Sequence, residues 1–273
     1  MIQSLRAPGS IRVVGGNFFV INPRGFKILL LFIKFGNDPI IFRFSLFKTG
    51  HLRLGFRCQL AVRKDKLEAY VSCVAQAGCS PKVVDVDVFA IQNAYEINTS
   101  GGNRDEVVAL VNMGATFTNL TMMVGGKSVF WRDMAWGSGR YSEKLVEDWG
   151  VSREAAELLK RNQAADGREP EEIQPSINAV SDAFADELTR TLDFFKSSFK
   201  VDRLDRVMVS GGGSMIHGLM EVLGDRLRVS VERFNPFQLI EVDGRTEDPV
   251  TVREIGGGAA VVVGLAMRQE GDR

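Results

Sequence analysis

The period of hydrophobic positions changes repeatedly along the chain, and each change predicts an element. Residues 59–62 form a short apolar run that predicts a strand. In residues 64–77, Leu67, Tyr70, Val71 and Val74 fall on one face of a helix that Gly78 stops. Residues 83–86 predict a second strand, leading into a helix through Phe89, Ile91 and Tyr95. The segment 98–104, with Gly101-Gly102 inside it, reads as the clearest domain boundary. After it, residues 106–111 predict a strand, Asn112-Met113-Gly114-Ala115 a tight turn, and residues 116–123 a second strand. Gly125-Gly126 is a two-residue hairpin signal, and residues 128–133 complete a meander.

Residues 142–163 predict helix with a break at Gly150 and Ser152 as N-cap of the second piece. Residues 164–175 are polar, contain two prolines and predict an exposed loop. Ile177, Val180, Phe184, Leu188, Leu192, Phe195 and Phe199 then recur every three to four residues, the stripe of a long amphipathic helix. A strand at 206–209, a glycine loop at 210–214, a helix at 215–227, a strand at 229–231 and an apolar helix at 259–267 follow. Strands alternating with helices, plus one meander, predict an α/β fold with a mixed sheet.

Charge changes the picture. The 34 Lys+Arg balance the 34 Asp+Glu, which excludes a generally basic nucleic-acid binder. The balance is uneven along the chain. Residues 1–57 hold nine basic side chains and one acidic one, Asp38, while residues 58–273 hold 25 basic and 33 acidic. The first segment also carries nine of the 18 Phe and a single Ala, Ala7. The three cysteines, Cys58, Cys73 and Cys79, fit no zinc or CxxC spacing and make a poor disulfide framework, so a reducing cytoplasm is expected. The longest apolar run, Ile28 to Ile33, is closed by Lys27 and Lys34 and is far shorter than the roughly 20 residues that cross a bilayer. No membrane span and no signal peptide are expected.

Three features could carry chemistry. In Asn112-Met113-Gly114-Ala115-Thr116-Phe117-Thr118, a glycine between strands lets backbone N–H groups approach a phosphate, and Thr116 and Thr118 can donate to its oxygens. The same text also fits an ordinary hairpin turn. Gly211-Gly212-Gly213-Ser214-Met215 between a strand and a helix could form a flat surface under an adenosine, with the helix N-terminus near its phosphates. It could equally be a close strand-to-helix turn packed on neighbouring backbone. Glu157 with Lys160, and Glu187 with Arg190, are couples at i,i+3 that could clasp a ribose and an adenine edge or be plain solvated ion pairs. His217 reads as a surface residue. No Walker motif, serine elbow or metal-ligand cluster is present, so no catalytic residue and no protein metal ligand is expected.

In order, these pieces resemble the actin-like ATPase superfamily and, within it, the PilM family of type IV pilus assembly proteins. The likeness runs from Leu60-Ala61-Val62-Arg63-Lys64-Asp65 through Val83-Val84-Asp85-Val86-Asp87-Val88-Phe89-Ala90 and Val111-Asn112-Met113-Gly114-Ala115-Thr116. It continues in Ser128-Val129-Phe130-Trp131-Arg132-Asp133, Ala156-Glu157-Leu158-Leu159-Lys160-Arg161 and Thr191-Leu192-Asp193-Phe194-Phe195. It closes with Ser210-Gly211-Gly212-Gly213-Ser214, Phe234-Asn235-Pro236-Phe237 and Val263-Gly264-Leu265-Ala266-Met267-Arg268, covering about residues 58–273. The resemblance implies an actin-like (ribonuclease H-like) α/β fold with mixed sheets, incomplete at the N-terminus. In domain terms it implies a remnant of the first actin-like subdomain at 58–105, completed by a helix at 255–270. The second domain would be 106–254, its sheet from 106–137 and 200–254 and its helical subdomain from 138–199.

The same resemblance implies a cytoplasmic protein docked under the inner membrane in pilus biogenesis. There it would hold the cytoplasmic tail of PilN and link the PilN/PilO complex to the pilus assembly ATPases. ATP with Mg2+ is the implied cofactor. Asn112 to Thr118 would be the second phosphate loop, Gly211 to Met215 the adenosine loop, and Glu157, Lys160, Glu187 and Arg190 the ribose and adenine contacts. An active actin-like ATPase or sugar-kinase-like enzyme, and an FtsA-like cell-division protein, are the alternatives. FtsA proteins normally end in a membrane-binding amphipathic helix, whereas this chain stops at Gln269-Glu270-Gly271-Asp272-Arg273.

Two departures bear on activity. The family's second phosphate loop usually begins with Asp, which helps place magnesium-bound or attacking water; here the residue is Asn112. An amide can hydrogen-bond but cannot act as a base or neutralise a cation, so hydrolysis is expected to be weak or absent even if nucleotide binds; the expected scaffold binds nucleotide weakly or not at all. The family's first phosphate loop, an acidic residue, a glycine and a lysine after a strand, has no counterpart, since Val14-Gly15-Gly16-Asn17 and Arg24-Gly25-Phe26-Lys27 do not supply it. The inserted subdomain that receives PilN is also unmatched. Residues 1–57 are expected to be either a basic, Phe-rich segment that touches membrane or a partner, or the product of an altered reading frame or misplaced start joined near Cys58. Their composition favours the second reading.

Overall fold

A computed structural model describes residues 64–99, 105–240, 252 and 255–268, with the backbone alone of strand residues 11–14, 17–20, 29–33, 41–49 and 53–61. The charged and Phe side chains of residues 1–57, and Gly101-Gly102 in the segment 98–104, lie outside the described residues. The chain divides into two compact units, Met1–Asp87 with Arg268–Arg273, and Val88–Met267.

The first unit contains β1 (Ile11–Val14), β2 (Asn17–Val20), β3 (Leu29–Ile33), β4 (Ile41–Thr49), β5 (Arg53–Ala61), helix α1 (Lys64–Gln76) and β6 (Pro81–Val86). Strands β1 and β2 pair antiparallel, as do β4 and β5, and β3 runs parallel to β6. The apolar stripe expected on α1 buries Val74 among Leu67, Tyr70, Val71 and Cys79. Gly78 adopts φ +76° just beyond the helix, a conformation that glycine reaches without steric penalty. On β6 the nearly buried Asp85 accepts from Arg268 Nε at 2.6 Å and from the Val86 amide at 2.9 Å, which supplies the partners a buried carboxylate needs.

The second unit takes up the chain with α2 (Asp87–Asn98), then the meander β7 (Val107–Met113), β8 (Thr118–Val124) and β9 (Lys127–Met134). Helices α3 (Gly139–Trp149), α4 (Arg153–Leu159) and α5 (Pro170–Phe199) follow, then β10 (Arg206–Ser210), α6 (Leu219–Leu227), β11 (Ser230–Arg233) and α7 (Ala260–Ala266). The sheet order is β11-β10-β7-β8-β9. Its β11, β10 and β7 are mutually parallel while β7, β8 and β9 alternate, so the expected mixed sheet is present. Strand β7 is central and apolar at every position but Asn112, which suits a strand covered on both faces.

The core forms between this sheet and the stripe of α5, where Ile177, Phe184, Leu188 and Phe195 are buried against Val111, Met122 and Val209. The break between α3 and α4 falls where the sequence places it. Gly150 caps α3 at φ +62°, and Ser152 accepts from the Ala155 amide at 3.1 Å at the start of α4. Helix α7 crosses α2 so closely that a side chain on Gly264 would run into the Ala90 carbonyl.

Three expected boundaries are corrected. Residues 170–175 are the start of α5, because Pro170 sits in the first turn, where its missing N–H has no helical partner to lose. Asn112 and Met113 are the last residues of β7, and the turn is residues 114–117. The helix expected from Met215 begins at Leu219. Gly212–Met215 instead makes a 3-10 turn, and Gly218, at φ +76°, separates it from α6.

Candidate functional site

Four strands bring one polar residue each into register. Ser210 lies opposite Asn112, Asn112 opposite Asn119, and Asn119 opposite Asp133. Their side chains bond in sequence: Ser210 Oγ donates to Asn112 Oδ1 at 3.2 Å, Asn112 Nδ2 to Asn119 Oδ1 at 3.3 Å, and Asn119 Nδ2 to Asp133 Oδ1 at 2.6 Å. Cross-strand neighbours on one face are close enough to interact directly. Each end of the Asn112 amide therefore makes one bond within the sheet.

The turn beyond Asn112 is exposed at Ala115 and Thr116. It is closed by the Gly114 amide donating to the Phe117 carbonyl at 2.9 Å. The start of α3 lies against it: the Ser138 and Gly139 amides donate to the Gly114 and Ala115 carbonyls, both at 2.8 Å. A Cβ on Gly137 would collide with the Ala115 carbonyl, so the two segments touch backbone to backbone. Thr118 is fully buried and its hydroxyl donates to the Trp136 carbonyl at 2.7 Å.

The glycine loop divides by role. A Cβ on Gly211, which has φ +83°, would strike the Met113 carbonyl, and one on Gly213 would strike the Met113 side chain. These two glycines are required by packing on the end of β7. Gly212 differs: it is exposed, and nothing lies within 4 Å of where its Cβ would be. Its bare backbone is a surface on which a flat ligand can lie. Ser214 Oγ donates back to the Gly211 carbonyl at 2.7 Å, and Arg233 Nε to the Ser214 carbonyl at 2.9 Å, while Met215 is half-buried. A second glycine run supports the loop. Gly211 N donates to the Gly257 carbonyl at 2.7 Å, and a Cβ on Gly257 would meet Ser214 Oγ.

Lys160 connects these parts. Its side chain is 4% exposed, and the ammonium donates to Glu157 Oε1 at 2.6 Å, Ser142 Oγ at 3.0 Å and the Ser138 carbonyl at 3.4 Å. All three N–H donors of a lysine are thus in use. The Lys160 carbonyl accepts from the His217 amide at 3.1 Å, just past the glycine loop. Burial lowers the Lys160 pKa, and the Glu157 carboxylate offsets part of that. Burial also acts to raise the Glu157 pKa, but its hydrogen bonds from Lys160 and Ser142 outweigh this and hold it below the ordinary carboxylate value. Glu157 is the half-exposed member of the couple. Glu187 and Arg190 bond to each other at 2.6 Å on α5, where the neighbouring Thr191 hydroxyl reaches the Glu187 carbonyl at 3.2 Å.

The structure thus joins residues 112–116, the Glu157–Lys160 couple and residues 211–215 through named hydrogen bonds, and none of those bonds includes Glu187 or Arg190. Sequence reasoning missed Ser138, Ser142, Asn119 and Gly257, and it held Asp133 and Ser210 only as parts of longer motifs with no site role. Among the missed residues Gly257 carried a visible signal, since it lies in the run Gly256-Gly257-Gly258. The Gly212 backbone is open, and the turn is exposed at Ala115 and Thr116. Toward a divalent cation, Asn112 offers a neutral amide that carries no negative charge. No described helix is long and apolar enough to cross a membrane.

A family model described as type IV pilus assembly protein PilM matches residues 55–270. Among solved structures, a PilM-PilN type IV pilus biogenesis complex is similar at TM-score 0.70 and 26% identity, covering 85% of this chain and 67% of that one. Ethanolamine utilization protein EutJ from Carboxydothermus hydrogenoformans is similar at TM-score 0.55 and 20% identity, covering 76% and 62%. MreB5 of Spiroplasma citri bound to ADP is similar at TM-score 0.50 and 13% identity, covering 76% and 65%. The last two bear on the fold alone, and with the first they place the chain in the actin-like α/β fold expected from the sequence. The chain spans about two thirds of the length of the solved proteins it matches.

Proposed function

The chain belongs to the family of the type IV pilus assembly protein PilM, and from that premise we propose that it is a scaffold of pilus assembly that binds PilN and turns over no nucleotide. It would sit on the cytoplasmic side of the inner membrane, held there by the cytoplasmic tail of PilN, and link the PilN/PilO complex to the pilus assembly ATPases. Likeness to a chain of a PilM-PilN complex supports PilN as the partner. An adenine nucleotide, held weakly at most, would lie over Gly212 with its phosphates toward the turn at Ala115 and Thr116.

One observation carries the second half of this reading: the Asn112 side chain, bonded to Ser210 and Asn119, offers neither a base nor a negative charge beside the phosphate turn. Phosphoryl transfer depends on positioned charge and a group that activates the nucleophile, and a neutral amide supplies neither charge nor a base. The resident chemistry is binding. An assay of phosphate release from ATP with magnesium tests it. The reading predicts release no faster than buffer; sustained turnover would favour the actin-like ATPase or sugar-kinase-like alternative.

A further inference from the structure

We propose that the free edge of β9, with the phenylalanine shelf beside it, takes an extended acidic peptide of a partner protein as an added strand. The inference goes beyond the scaffold reading and does not depend on it. Strand β9 is the last of the five in its sheet and pairs on one side alone, with β8. A strand in that position offers a row of backbone donors and acceptors to an extended chain that reaches it.

The shelf is aromatic. Phe130 of β9 lies 6.1 Å from Phe194, 5.7 Å from Phe195 and 5.9 Å from Phe199 of α5, ring centre to ring centre. Phe195 is buried there, whereas Phe194 is 53% and Phe199 45% exposed. Apolar surface gathered in one place marks an interaction site in a way that single exposed residues do not.

Charge names the partner. Cross-strand neighbours share a face, so Phe130, opposite Met122, and Arg132, opposite Leu120, stand on the α5 side of the sheet, where Met122 and Leu120 join the core. A bulge at Val129 brings Lys127, opposite Val124, onto that side as well. Arg132 and Lys127 are exposed, and among the described residues no carboxylate pairs with either. The acid of the strand, Asp133, is on the other face, bonded to Asn119. On α5, Glu187 is taken by Arg190, and Asp193 is turned about 100° from Phe194. A strand added at this edge therefore meets two cations and an aromatic surface on one face, which suits side chains that alternate there between apolar and acidic. Pairing two β9 edges would set basic residues against basic ones, which disfavours a second copy of the chain. A lipid surface has no extended backbone to pair with the edge, which disfavours a membrane.

The test is fluorescence anisotropy of the full chain with a labelled synthetic peptide in which leucine and aspartate alternate at every second position with threonine between them, and with a counterpart carrying lysine for aspartate. The proposal predicts saturable binding of the acidic peptide, at least about tenfold tighter than of the basic one. Arg132→Glu should invert that preference, and Phe194→Ser should weaken the acidic peptide by about fivefold or more. Methylating one alternate set of the peptide's backbone amides should abolish binding and methylating the other should leave it, because only one set faces the edge. Both substitutions are at exposed positions. Should Phe194→Ser nonetheless unfold the chain, the inversion at Arg132 and the methylated peptides decide. Absence of binding, or tolerance of both methylated sets, would overturn the proposal. Binding indifferent to Arg132→Glu and Phe194→Ser alike would overturn it too, and would point to the basic residues 1–57 instead. So would a free chain that is a dimer until Phe194→Ser makes it monomeric, which assigns the shelf to a second copy. Failure to bind the peptide, with sedimentation on vesicles of phosphatidylcholine and phosphatidylglycerol that Phe194→Ser removes, would assign it to lipid.

Discussion

Asn112 and Asn119 stand directly opposite each other on β7 and β8, and the amide of the first donates to the oxygen of the second at 3.3 Å. The bond lies midway along a row that starts at Ser210 and ends at Asp133. Asn112→Asp replaces that donor with an acceptor and sets two oxygens face to face. We expect a loss of about 1–3 kcal/mol, the penalty for unmatched polar groups inside a structure, read as a lower denaturant midpoint. Asn112→Asp combined with Asn119→Ser should recover part of the loss, because the facing hydroxyl can donate to the new carboxylate. No recovery would mean that the row is incidental to stability.

The glycines of residues 211–213 separate packing from binding. Gly213→Ala puts a methyl into the Met113 side chain and should destabilise by about 1–3 kcal/mol, as overpacking does. Gly212→Asp meets open space, so the unfolding midpoint should stay within about 0.5 kcal/mol of the natural chain, as for most surface substitutions. It should nonetheless remove nucleotide binding. A Gly212→Asp chain that folds and still binds nucleotide would place the ligand elsewhere.

Lys160 and Glu157 make a pH-dependent contribution whose sign follows from their shifts. The folded pKa of Glu157 lies below its ordinary value, so the stabilisation it gives is present at neutral pH and is lost as pH falls through the carboxylate range to the folded value. The folded pKa of Lys160 also lies below its ordinary value, so between the two the unfolded chain binds more protons and stability rises with pH. Glu157→Gln leaves the Lys160 ammonium with neutral partners alone. Breaking a fully buried pair costs about 3–5 kcal/mol, and the half-exposed carboxylate reduces that here to about 1–2 kcal/mol. Denaturant midpoints measured across acid pH should show the difference between variant and natural chain shrinking as Glu157 protonates. A difference independent of pH would remove the ion pair from the account.

Helix α7 offers a check on the fold alone. Gly264→Ala drives a methyl into the Ala90 carbonyl, and backbone cannot yield as a side chain can. The expected loss is about 1–3 kcal/mol with the nucleotide turn unaffected. Full stability in thermal unfolding would show that α7 and α2 do not cross as described.

What the sequence made legible was local. Gly125-Gly126 marked the β8–β9 hairpin because both residues take positive φ, and Ser152 marked the start of α4 because its hydroxyl meets an amide three residues on. The stripe on α5 marked one face of the core through simple periodicity. The site was legible as segments and illegible as a constellation. Asn112 was placed in a turn because Gly114 follows it. Only the pairing of four strands shows that it belongs to a row with Ser210, Asn119 and Asp133. The couple Glu157–Lys160 looked like an exposed i,i+3 pair, since nothing in the spacing says that Ser138 and Ser142 will bury the ammonium. Three glycines in a row likewise could not reveal that Met113 demands two of them and leaves Gly212 bare.

Titration of the full chain with a labelled peptide of the PilN cytoplasmic tail, followed by fluorescence anisotropy, tests the scaffold most directly. The account predicts saturable one-to-one binding in the presence or absence of nucleotide, which the chain would make without a sequence match to the inserted subdomain that receives PilN in the family. An anisotropy that stays flat to the highest concentration of folded chain would contradict it.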